Sequence, residues 1–165
     1  MANNQVLRVK RQIMIHTVVQ IFLVALLLFM AWYFQRVFAA KGAPQIFFNS
    51  LFFTLFLQAV LFYPIYRFAA NEARNEVAAQ TATAPEVVQA LRKKRIAGDY
   101  LKAAAFIFYV TFISLSPPLT FVLSTTFFSF IATTVTYLQS FNFCAKRIMA
   151  GENPGLTWRR KGNKG

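Results

Sequence analysis

The sequence predicts an all-α integral membrane protein, a four-helix bundle of two transmembrane hairpins joined by a cytoplasmic segment that carries a short amphipathic helix. Three observations lead there. First, 57% of the 165 residues are hydrophobic, 20 are Phe, only 14% are charged, and the mean hydropathy is +0.45. A soluble domain has about a quarter of its residues charged. Second, the charges gather at the two ends and in one central stretch, leaving uncharged runs long enough to cross a bilayer. Third, Lys and Arg are distributed asymmetrically between the segments that flank those runs.

Residues 1–12 are polar and basic, with Arg8, Lys10 and Arg11. The first hairpin occupies 13–66. Its first run, Ile13 to Phe34, has 22 residues without a fixed charge, about 33 Å of helix against a hydrocarbon core of about 30 Å. A secretory leader cleaved near Val37-Phe38-Ala39 is the competing reading, but leader cores run about 7–15 residues and this one is longer. Lys41-Gly42-Ala43-Pro44 reads as a turn. The second span runs from about Gln45 to Tyr66, and Pro64 should bend it or end it early.

Residues 67–99 form the polar central segment. Thr83-Ala84-Pro85-Glu86 looks like a helix start, with proline in the first turn and an acid facing the positive end of the dipole. Val87, Val88 and Leu91 share one face of the expected short helix. Arg92-Lys93-Lys94-Arg95 follows, with Gly98 as C-cap and Asp99 as cap of the third span. The second hairpin occupies 100–145. Leu101 to Ala145 is 45 residues with only Lys102 charged, about 67 Å as one helix and twice a bilayer. It must fold back, and Ser116-Pro117-Pro118 is the natural place; the alternative is a turn nearer Ser124-Thr125-Thr126 with the prolines as a kink. Residues 146–165 are a basic tail.

Counting Lys and Arg gives 16 on the side of the termini and central segment against two, Arg36 and Lys41, on the other. The positive-inside rule makes the basic side cytoplasmic, with both chain ends there. The alanine-rich central segment and short length point to a bacterial inner membrane.

The ionisable inventory narrows the chemistry. All five acids (Glu72, Glu76, Glu86, Asp99, Glu152) fall outside the expected spans, where coupled transporters generally place a carboxylate. His16 is the only histidine, read as an interfacial histidine bonded to a neighbour or to lipid headgroups, with Tyr63 a candidate partner by depth. Cys144 is the only cysteine, read as an interfacial thiol, so disulfide chemistry has no pair. No nucleotide loop, metal-ligand spacing or nucleophile–base pair occurs. The expectation is no catalytic residue, no metal site and no cofactor. The net charge of +13 is explained by insertion, and nucleic acid is not an expected partner.

Polar residues inside the spans are the candidate contacts. Gln20 and Gln58 lie at matching depths, about 11 Å in from the basic side, and are expected to bond across spans one and two. Thr125, Ser129, Thr133, Thr136 and Ser140 recur at helical spacing on one face of span four. They suit either close helix packing or a hydroxyl-lined wet path. Arg92, Lys93, Lys94 and Arg95 are expected to meet anionic inner-leaflet headgroups or a partner, or simply to fix topology. Functionally these features suggest a non-enzymatic accessory, assembly or scaffold subunit that works with other membrane subunits or by self-association. The alternative is a homo-oligomeric pore or carrier lined by the Ser/Thr face. A lipid- or quinone-directed enzyme using His16 is the third reading.

Overall fold

The computed structural model describes the backbone at 2–82, 84–118 and 120–151, and the side chains there except at 2–8, 80 and 81. Four α-helices make up nearly all of it: α1 (Ala2–Ala40), α2 (Pro44–Thr81), α3 (Pro85–Leu115) and α4 (Phe121–Met149). Each is long and apolar enough to cross a membrane, with mean hydropathies of 2.5, 1.8, 1.4 and 1.5 in chain order.

The turns sit where the breakers are. α1 ends in a Schellman motif: Gly42 has φ +73°, its N–H reaches the Ala39 carbonyl at 3.0 Å, and the Ala43 N–H reaches that of Phe38 at 3.0 Å. Pro44 then opens α2 at its first turn. Ser116-Pro117-Pro118 separates α3 from α4, and Thr120 caps α4 by accepting from the Leu123 N–H at 3.2 Å. The alternative turn at Ser124–Thr126 is excluded, because α4 is continuous through it.

The central segment departs from expectation. No separate short helix lies there. α2 runs on through Pro64 to Thr81, and α3 starts at Pro85 with Glu86 in its first turn and continues unbroken to Leu115. Gly98 is therefore mid-helix, and neither it nor Asp99 caps anything. Helix propagation explains the difference: once α3 is nucleated, continuing it costs little, and a single glycine costs only about 1 kcal/mol. Thr83 and residues 152–165 of the expected tail lie outside the described residues.

Contacts between the helices set their order. α4 packs most extensively on α2, to which it runs parallel; α1 and α3 flank that pair, antiparallel to both. One core cluster, Phe34, Phe38, Phe47 and Phe128, closes the end near Gly42, with Phe34 and Phe128 edge to face at 5.6 Å. The other gathers Val9, Ile13, Ala69, Ala73, Phe141 and Cys144. Its alanines, at 0% exposure, let the backbones approach closely.

Beside this apolar core, large apolar side chains also cover the outside. Phe52 and Leu115 are 76% and 79% exposed, while Ser50 and Ser124 are fully buried. α3 buries no residue at all. Apolar surface of this extent is stable in lipid, and hydroxyls turned inward are the pattern of helix association there.

Candidate functional site

Midway along the α2–α4 contact, the Gln58 amide donates through Nε2 to Thr136 Oγ1 at 2.6 Å. Thr133 Oγ1 lies 3.4 Å from Gln58 Oε1 as donor and 3.4 Å from the Tyr109 hydroxyl of α3. Three helices thus share one polar node. It forms because a glutamine in an apolar interface must find partners, and α4 offers hydroxyls one turn apart.

The Gln20–Gln58 bond expected from depth does not form. Gln58 is taken by α4, since α2 packs against α4 far more closely than against α1, and Gln20 is left half-buried on α1. Elsewhere on the α4 face, Thr125, Ser129 and Ser140 are buried, and Thr125 Oγ1 and Ser129 Oγ have no hydrogen-bond partner. Of the expected stripe, then, Thr133 and Thr136 join the node.

A second node ties α2, α3 and α4 toward the Thr81–Pro85 turn. Glu72 accepts from Tyr137 Oη at 2.5 Å and from Lys102 Nζ at 2.5 Å, and Lys102 also pairs with Asp99 at 2.8 Å. Arg95 pairs with Glu76 at 3.4 Å. Tyr137 lies about 24 Å along α4 from Phe121 at 1.5 Å per residue. Sequence reading missed this node, although one signal was present. Lys102, the lone charge in the last apolar run, needed a counter-ion; Asp99, three residues away, was the near candidate in sequence, while Glu72 is 30 residues away.

A groove of about 430 Å³ opens beside this node, between α2 and α3. Its carboxylates are Glu72, Glu76 and Asp99, its cations Arg92 and Arg95. Lys93 and Lys94 are exposed. Gly98 faces this contact with room to spare: a Cβ there would meet Glu72 Oε1 and Phe68 Cζ at 3.8 Å, an ordinary van der Waals distance.

The third polar contact joins α1 to α4. Asn142 donates to Thr17 Oγ1 at 3.3 Å, while Thr17 donates to the Ile13 carbonyl at 2.8 Å. His16 packs edge-on to Phe141 at 5.0 Å, whereas Tyr63, its candidate partner by depth, is 68% exposed. Cys144 is fully buried between the helices. Among the described residues no group of three or more His, Cys, Asp or Glu could hold a metal ion. Comparison with family models, with curated proteins and with solved structures finds no match to this chain.

Proposed function

We propose that this four-span membrane chain is an accessory, assembly or scaffold subunit of a larger membrane complex, with both ends and the α2–α3 turn on the cytoplasmic side of a bacterial inner membrane. One observation carries the reading: the polar side chains Gln58, Thr133, Thr136 and Tyr109 bond to one another within a single chain. Meanwhile α3 buries nothing and offers its apolar flank outward. Such a flank suits docking of a partner span. The 16-to-2 basic asymmetry supports the orientation. Arg92, Lys93 and Lys94 then face anionic headgroups or a partner's soluble part.

The test is photocrosslinking from Ile107, exposed on α3, in native membranes, followed by gentle-detergent purification. A second membrane chain captured there, and co-purifying at fixed stoichiometry, is the expected result. A chain that purifies alone as a symmetric oligomer would overturn it. The pore reading draws on the unpartnered hydroxyls of Thr125 and Ser129; it predicts solute flux in liposomes that Thr133→Leu abolishes. Against it, the Thr133 and Thr136 hydroxyls turn into their own bundle.

A further inference from the structure

The groove between α2 and α3 is charged in an uneven way. Lys102 serves two carboxylates, Glu72 and Asp99, and the Asp99 side chain remains 58% exposed. At the other end no ion pair joins Arg92 to a carboxylate among the described residues. Arg95, between them, holds Glu76 only loosely at 3.4 Å and is 51% exposed. Excess negative charge thus lies at Asp99 and excess positive charge at Arg92. Positions 92, 95 and 99 share one helix face at successive turns, so the complement of this face is a zwitterion whose positive end meets Asp99, about 6 Å from Arg95 and about 10 Å from Arg92 along the axis.

We infer that the groove binds the headgroup of an aminophospholipid, a phosphate ester bearing a primary ammonium. The phosphate sits between Arg92 and Arg95, where guanidinium forks match its oxygens. The ammonium donates to the free oxygen of Asp99, with Glu76 close by. Three features select this occupant. Among the described residues the groove lining contains no aromatic side chain, so it lacks the cage that holds a trimethylammonium group. Asp99 and Arg95 lie about 1.5 and 8 Å beyond Tyr100 along α3, within the headgroup layer of about 5–8 Å per side. Ile96 on the groove wall and Tyr100 one turn on are both exposed, and they lead an acyl chain from the groove onto the lipid-facing surface of α3. The inference rests on the bilayer placement but not on the scaffold role, since it is read on the purified chain alone.

The experiment is native mass spectrometry of the full chain in mild detergent, titrated with phosphatidylethanolamine, phosphatidylcholine and phosphatidylglycerol. Phosphatidylethanolamine should bind about tenfold tighter than phosphatidylcholine, the worth of one charge-assisted hydrogen bond. Arg92→Gln should weaken both about equally. Asp99→Asn should bring their ratio close to one, and Glu76→Gln should lower it where loss of the Lys102 contact unfolds the first variant. Equal affinity for the two lipids in the unaltered chain would overturn the inference, as would unchanged binding in Arg92→Gln. Free phosphoethanolamine should leave the lipid adduct in place at millimolar concentration; displacement would reassign the groove to a soluble phosphoamine and overturn the lipid.

Discussion

Replacing Gln58 with Leu tests which helix pair its amide serves. Leu is close in volume and at home in lipid, so the loss reports chiefly the polar bonds. The bond to Thr136 is short at 2.6 Å and that from Thr133 long at 3.4 Å. Interhelical bonds in membranes average about 0.6 kcal/mol and reach about 1.7. We therefore expect a Gln58–Thr136 coupling of about 1 kcal/mol and a Gln58–Thr133 coupling below about 0.5, because 3.4 Å is beyond the favourable range. A freed Thr136 hydroxyl falls back on the carbonyl one turn earlier, which limits the loss. The assay is a double-mutant cycle with Gln58→Leu, Thr136→Val, Thr133→Val and Gln20→Leu. Stability is read from reversible SDS unfolding in mixed micelles, followed by helicity. Coupling of Gln58 to Gln20 near 1 kcal/mol, with none to Thr136, would refute the contact and restore the pairing inferred from depth.

Other substitutions report on the turn and on the attachment of α3. Gly42→Ala meets no atom within 4 Å but keeps φ at +73°, so it should cost about 1 kcal/mol from backbone strain alone, read in the same unfolding assay. Gly98→Ala should be neutral or stabilising by up to about 1 kcal/mol, because its Cβ finds ordinary contacts at 3.8 Å. Gly98→Leu should separate α2 from α3, visible as lost cross-linking between Cys pairs placed at 76 and 95 in a Cys144→Ser background. Lys102→Met should cost about 2 kcal/mol by leaving Glu72 without its cation, and adding Glu72→Gln should recover most of it.

Much of this fold was legible because lipid imposes few solutions. The uncharged run from Ile13 and the prolines at 117 and 118 gave helix number and turns, since an exposed peptide group in hydrocarbon costs several kcal/mol. Charge clusters misled at the centre. Arg92–Arg95 and Gly98 looked like the end of a short helix, yet nothing there prevents propagation from Pro85 to Leu115. The candidate contacts were half legible. The spacing of Thr133 and Thr136 put them on one face, but periodicity gives a face and not a neighbour. Equal depth chose Gln20 for Gln58, whereas the choice was made by rotation of α2 toward α4. Depth arithmetic likewise paired His16 with Tyr63, while Phe141 and Asn142 of α4 lie beside it.

These corrections converge on α3. Its uncharged stretch from Ala103 to Leu115 is the shortest such run among the four helices. It has the lowest mean hydropathy of the four, and no residue of it is buried. Lipid supplies no hydrophobic drive for it to join the bundle, because acyl chains solvate its surface as well as a neighbouring helix does. Its attachment therefore depends on directed contacts: Arg95 to Glu76, Lys102 to Glu72, and Tyr109 to Thr133. Arg95 and Lys102 lie in its first two-thirds and Tyr109 six residues before its end, leaving Phe112 and Leu115 exposed at the far end. A span held by polar pairs can detach without exposing a core. Loss of Lys102 should accordingly free α3 while α1, α2 and α4, joined through their buried aromatic and alanine clusters, stay folded.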